Sequence, residues 1–387
     1  MNKKITLGLA ISMVAIACAI TFILTSFFSL QSFNGKVADV SEKSAKYERL
    51  AELDQFIRKN YFKDLNETGL NMGILKGYVE GLGDKYSRYL TAEEYADEIA
   101  DNEGEVIGIG ITVEPSDGGY VKINGIIEKS PVYDSEIKLG DIIVAINGKD
   151  VLTVGFDASV DELRGAAGTD IVLTVRRDGI DKNYKFTRRS IEVTSVSGRI
   201  LSGSVGYIKI DGFRKNTPDQ FIDEIERLMS NGATSLIFDV RDNSSSLLSS
   251  LEKCVSPLLS EGIIASAVYS ADKVETVIYS ENSGMNIPMV VIVNSNTAGA
   301  GELFAASLKE FGKAQLVGEQ TAGKGVMQIM HQFDDKSGVV LSIAEYRVGE
   351  SEGFNGVGLI PEHIVEKSVE ANIDAQLNKA IEILMVQ

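Results

Sequence analysis

Apolar residues recur at helical spacing early in the chain. Leu50, Leu53, Ile57 and Tyr61 are three and four residues apart, as are Leu70, Ile74, Leu75, Tyr78, Val79 and Leu82. Such stripes predict two short amphipathic helices. Thr91, followed by Glu93 and Glu94, predicts a capped helix start with acids in its first turn. Between Gly104 and Arg189 the pattern changes to short runs of Ile, Val and Thr broken by Gly, Asp and Asn, with Asp178-Gly179 as a hairpin signal. From Val205 onward strand-like runs (205–210, 235–240, 289–293, 314–317) alternate with helical ones (219–229, 247–259, 301–311), which predicts βαβ units with parallel strands.

The amino terminus has a different pattern. After Lys3 and Lys4, residues 5–30 carry no charge, enough apolar length to cross a bilayer core of about 30 Å. No Ala-x-Ala cleavage pattern follows, so an uncleaved anchor is expected in preference to a cleaved signal peptide. Basic residues before the span and an acidic remainder place the bulk of the chain on the extracytoplasmic side of a cell membrane, attached by a single pass. The expected order is an anchor or signal segment (1–30), a polar tether (31–45), a helical region (46–100), a β-rich module (104–190) and an α/β domain (191–387).

Composition narrows the chemistry. The 387 residues carry a formal charge of −17 and no Lys/Arg stripe, which disfavours nucleic acid as a partner. Cys18 and Cys254 are the two cysteines, and His331 and His363 the two histidines. This supports neither a disulfide framework nor a zinc or histidine-rich metal site, and no cofactor is expected.

In the β-rich module, Ile107-Gly108-Ile109-Gly110 is followed by Ile126 to Pro131, Leu139 to Gly148 and Gly168 to Arg177. This order resembles a PDZ domain of the bacterial protease type, although Glu136 and Leu139 depart from its common pattern. The resemblance implies strand addition of an extended peptide, with Ile107, Gly108, Ile109 and Gly110 cradling a terminal carboxylate. Further on, Val291 to Ala306 reads as strand, tight turn and helix, with Gly323-Lys324-Gly325 and Gln328 beyond. Together with 84–95 and 205–210, these motifs resemble the carboxyl-terminal processing (tail-specific) serine peptidases. The implied fold is a crotonase/ClpP-like α/β peptidase core with an inserted PDZ-like β-rich domain, a small helical amino-terminal layer and one transmembrane helix.

In that family a serine at the turn attacks the peptide carbonyl and a lysine 25 residues later takes its proton, a role that burial makes available by lowering the lysine pKa. The resemblance implies Lys324 as that base and Gln328 as the residue that orients it. The position of the nucleophile holds Gly299, which has no hydroxyl. The segment Asp239 to Leu247 matches the family's Asp-Leu-Arg-x-Asn-Pro-Gly-Gly-Leu loop, but Ser244, Ser245 and Ser246 replace Pro-Gly-Gly. Ser245, Ser246 and Ala300 are the positions the resemblance assigns to the oxyanion loop.

Two altered parts point to divergence of the natural chain, not to one isolated change. Ser295 and Thr297 stand roughly 13 and 7 Å before the old nucleophile position at strand spacing, too far to replace it; a nucleophile among Ser244 to Ser246 is conceivable. The expected function is therefore a peptidase homologue that binds extended or carboxyl-terminal peptides of extracytoplasmic proteins, with proteolysis lost or strongly impaired and homo-oligomerisation left open. The alternatives are an active serine-type endopeptidase with a displaced nucleophile and a non-catalytic structural partner. Under the first, Gly299→Ser alone would restore lysine-dependent cleavage.

Overall fold

A computed structural model describes residues 47–351, 353–368, 370 and 373–386, together with positions 13, 21 and 24–26. Apart from those positions the apolar span expected at 5–30 lies outside the described residues. Among the described residues no helix is long and apolar enough to cross a membrane. The chain divides into two units at Ile74/Leu75. The first holds a helix over 47–60 and the start of the helix Glu67–Glu80, with Arg58 paired to Asp54 and Glu67.

In the second unit a six-stranded sheet runs in the order Val196–Leu201, Val205–Ile210, Ser235–Asp239, Met289–Val293, Ala314–Gly318, His363–Ile364. The strands over 205–318 are parallel, as the alternation predicts, and so is the short His363–Ile364; the outermost strand Val196–Leu201, which the alternation does not include, is antiparallel to its neighbour. Its inner strands are continuous Val/Ile/Leu/Phe runs because both faces are covered. On one side Ile208, Phe238, Val291 and Leu316 pack under the helices Thr217–Ser230, Leu248–Val255 and Ala300–Glu310. On the other, Ile237, Val290 and Ile292 meet Ala380 and Leu384 of the helix Ala375–Val386. Phe213, Phe221, Phe238 and Phe304 form the aromatic centre of the first layer, all fully buried.

A second, five-stranded sheet has no counterpart among the strands expected from sequence. It orders Arg88–Leu90, Gly338–Val348, Ser260–Tyr269 and Val274–Ser283, with Val326–Gln332 also paired to Gly338–Val348. This sheet carries Gln328 and fixes the segment that precedes the helix Ala92–Glu103. Thr91 caps that helix in a full capping box with Glu94.

The β-rich module is a sheet in the order Ile111–Pro115, Val121–Ile126, Ile142–Ile146, Asp170–Arg177, Ile180–Thr187 around its own core of Ile109, Val121, Ile123, Ile171 and Leu173. Asp178 and Gly179 make the hairpin turn with φ of 52° and 77°, the left-handed pair of a two-residue loop. Ile111–Pro115 lies at the sheet edge.

Candidate active site

The buried strand Met289–Val293 ends in a turn locked from several sides. The Asn294 amide side chain accepts from the Asp242 N–H at 3.0 Å and donates to the Asp242 carboxylate at 2.8 Å. The Thr297 hydroxyl donates to the Val240 carbonyl at 2.9 Å, and the Ala298 N–H donates to the Asn243 carbonyl at 2.9 Å. Gly299 then sits at φ 57°, ψ −118° as the residue before the helix Ala300–Glu310. That backbone is a sharp strand-to-helix turn of the kind that exposes a nucleophile, and it is strained for any residue with a side chain.

The loop opposite closes on this turn. The Ala300 N–H, the first amide of the helix, donates to the Ser245 carbonyl at 2.8 Å. Ser245 is held there by its own hydroxyl, which donates to Asn243 Oδ1 and accepts from the Phe213 N–H, both at 2.8 Å. Asn243 is fully buried and donates to the Ile210 carbonyl at 3.1 Å. A Cβ on Gly299 would stand 2.7 Å from the Ser245 carbonyl oxygen. The glycine at 299 and the inward carbonyl at 245 therefore accommodate each other. A stabilising donor for an oxyanion must be unoccupied and aimed at the developing charge; here the amide of Ala300 is already bonded.

Lys324 lies beside this turn, its Cδ 3.7 Å from where a Cβ of residue 299 would be. Burial, with help from the Arg88 charge, holds its amine below the usual lysine range. The ammonium lies 5.8 Å from the centre of the Tyr86 ring, and the Tyr86 hydroxyl donates to the Gly323 carbonyl at 3.0 Å. Gln328 donates to the Tyr86 carbonyl at 2.9 Å, while its Oε1 is buried with no hydrogen-bond partner among the described residues. A cavity of about 390 Å³ opens between the 244–246 loop and Lys324, lined among others by Arg88, Asp211, Ser244, Ser246 and Lys324.

The structure thus brings together Gly299, Ala300, Ser245 and Lys324, and Ser246 lines the cavity that holds Lys324; Gln328, expected to orient the lysine, bonds instead to Tyr86 and Ser342, with no bond to Lys324 among the described residues. Ser295 turns away, its hydroxyl 3.2 Å from Glu319, and Thr297 is committed to Val240. Sequence reasoning missed Tyr86, Asn243 and Glu302. The signal for Glu302 was its place three residues after the turn, the spacing at which a helix side chain reaches back to cap. Arg241 faces elsewhere, paired with Asp239 and Asp374.

Ile107 to Gly110 lie in the β-rich module. Ile107 and Gly108 belong to the strand Glu105–Gly108, paired with Arg189–Glu192, so the group expected to act as one cradle is divided. Ile109 is buried and Gly110 has φ 82°, where a Cβ would meet Ser130 Cβ at 2.0 Å. The N–H groups of Ile109 and Gly110 have no backbone acceptor among the described residues, and they lead directly into the edge strand.

The lowered lysine has a measurable consequence. Its folded state binds a proton less readily than the unfolded chain, so ionised Lys324 opposes folding below the lowered value. That penalty fades as pH rises through the unfolded value near 10.4. Lys324→Met is expected to stabilise the chain at pH 7, and the gain is expected to shrink towards pH 10 in urea unfolding at the two pH values. A gain that does not depend on pH would mean packing, not charge, is responsible.

The chain resembles known proteins in family and fold. Residues 204–365 match peptidase family S41, and residues 107–187 match the PDZ domain. The carboxy-terminal processing protease CtpA of Bacillus subtilis is 28% identical over 351 residues, covering 90% of this chain and 75% of that protein. The chloroplastic carboxyl-terminal-processing peptidase 1 of Arabidopsis thaliana is 32% identical over 302 residues, 75% of this chain and 61% of the relative. An S41-type protein of Bacteroides fragilis, of known structure, superposes with a TM-score of 0.53 at 16% identity over 84% of this chain and 91% of its own, which supports the fold.

Proposed function

From a chain whose residues 204–365 are a peptidase family S41 domain and whose residues 107–187 are a PDZ domain, we propose a peptide-binding member of the carboxyl-terminal processing group that has lost proteolysis. It holds extended or carboxyl-terminal segments of extracytoplasmic proteins and is tethered to the cell membrane by residues 5–30. The observation that carries this reading is the pairing of Ser245 O with the Ala300 N–H against a glycine at 299, so that nucleophile and oxyanion donor are both withdrawn. Peptide capture is supported by the edge strand Ile111–Pro115 and the two amides of Ile109 and Gly110 before it. A peptide laid along that edge gains backbone hydrogen bonds, and its terminal carboxylate can accept from those amides.

A second reading, an active endopeptidase with a displaced serine, is favoured by one fact: Ser244 and Ser246 line the cavity that holds Lys324. The full chain in detergent separates the two. Fluorescence anisotropy is expected to show binding of an extended peptide with a free terminal carboxylate, weakened about tenfold or more when that carboxylate is amidated, the worth of one charge-assisted hydrogen bond. An unfolded test protein is expected to remain intact. Cleavage that Lys324→Ala abolishes would establish the second reading, and equal binding of acid and amide peptides would remove the carboxylate role of Ile109 and Gly110.

A further inference from the structure

We propose that Glu302 is the positioning residue of this site, a carboxylate that holds the turn at residue 299 and the lysine loop at 323–324 at a fixed separation, whichever residue occupies 299. The proposal rests on reading Lys324 as the retained base. Glu302 is completely buried. Its Oε2 accepts from the N–H groups of Lys324 at 2.7 Å and Gly299 at 3.2 Å, and its Oε1 from the N–H of Gly323 at 2.7 Å and the hydroxyl of Thr321 at 2.5 Å. One side chain therefore joins both segments that a serine–lysine pair would need.

Four donors surround the group, and three of them are backbone amides that cannot accept. The Thr321 hydroxyl already accepts from the Leu359 N–H at 2.7 Å. Burial raises the Glu302 carboxyl above its ordinary range, while these four donors pull against that rise. The ionised form is the one that satisfies all of them. The lysine loop has a second anchor in Gly323, whose carbonyl accepts from Tyr86 and from the Gly356 N–H at 2.9 Å. At φ 75°, a Cβ there would come within 2.9 Å of the Gly358 N atom. With the loop backed against 356–358, the carboxylate sets its distance from the turn.

Charge and position predict opposite signs for Lys324. The charged groups acting on it are Arg88, Glu98, Glu302 and Asp84, and Asp101, Asp211, Arg214 and Asp242 line the same cavity. As a charge alone, Glu302 favours the protonated lysine, so removing it would lower the lysine's proton affinity. As a clamp it keeps water out, so losing it lets the loop part, hydrates the amine and raises that affinity.

The test is titration of the full chain after reductive ¹³C-methylation of its lysines, with the Lys324 resonance identified by its loss in Lys324→Arg. Glu302→Gln puts an amide nitrogen among four donors, and Glu302→Asp keeps the charge but falls one methylene short. Both are expected to shift the Lys324 midpoint upward, and Thr321→Val, which removes one donor, to shift it less. Near-ultraviolet circular dichroism selects the variants that fold, and any one of the three that does is informative. An unchanged or lowered midpoint in a folded variant overturns the proposal. The titration needs no turnover, so it stands apart from the cleavage assay: a natural chain that cuts unfolded protein would refute the loss of proteolysis and leave the Glu302 result to be read by itself.

Discussion

Gly299→Ser alone is expected to leave the chain without measurable cleavage of an unfolded protein, whereas Gly299→Ser combined with Ser244→Pro, Ser245→Gly and Ser246→Gly is expected to cleave it in a Lys324-dependent way. The missing serine is the larger deficit, since removing such a nucleophile costs on the order of a millionfold in turnover, about 8 kcal/mol of barrier. Replacing it is not enough. The new Cβ would stand 2.7 Å from the Ser245 carbonyl oxygen, so backbone must move before the side chain fits. The Ala300 amide would also remain bonded to that carbonyl, and one lost oxyanion donor costs about 10²- to 10³-fold.

Glycines at 245 and 246 remove the hydroxyl that fastens the loop to Asn243 and Phe213 and open the left-handed conformations an inverted peptide needs. Activity of Gly299→Ser alone would show that the Ser245 carbonyl is no obstacle. A folded four-fold variant that stays inert would show that the deficit lies elsewhere than in the turn and the loop. The sequence alone predicts recovery from the single change, because a contact between a carbonyl and an absent Cβ leaves no trace in a residue pattern.

The four inner strands of the central sheet were legible because they are buried on both faces and the helices between them carry regular apolar stripes; the outer strands Val196–Leu201 and His363–Ile364 were not. The proximity of Lys324 to Gly299 was legible through spacing and resemblance. The five-stranded sheet was not. Arg88–Leu90 pairs with residues 338–340, and Ser260–Tyr269 mixes Ser, Gly and Ala among its apolar positions, so neither strand shows a clean alternation. Glu302 reads as an ordinary acid in the first turn of a helix, favourable there for its charge. Only the return of residues 321–324 over that turn makes it a buried acceptor with four donors. Ser245 likewise declares a changed loop but not which way its carbonyl faces, a backbone choice made by Asn243 and Phe213.

Asp239→Ala is expected to cost about 3–5 kcal/mol, the range for removing one partner of a buried ion pair. Asp239 closes the strand Ser235–Asp239 and is 1% exposed. It accepts from the Tyr207 hydroxyl at 2.7 Å, from the Arg241 N–H at 3.0 Å and from the Arg241 guanidinium, and Lys209 lies 3.5 Å away. Without it the half-buried guanidinium keeps, among the described residues, the more exposed Asp374 and the buried but uncharged Gln376, and a buried tyrosine hydroxyl loses its acceptor. Both losses act at the root of the loop that carries Asn243 and Ser245. The joint change Asp239→Leu with Arg241→Met removes both charges and is expected to cost less than Asp239→Ala alone, because a buried pair is worth little against apolar residues of similar size while a widowed charge is costly. Urea unfolding of the three chains at neutral pH checks the order. A loss of under about 1 kcal/mol for Asp239→Ala would place this pair with exposed ion pairs and remove it as the anchor of the loop; a joint variant less stable than the single one would mean that Asp239 acts mainly through Tyr207 and Lys209, not through Arg241.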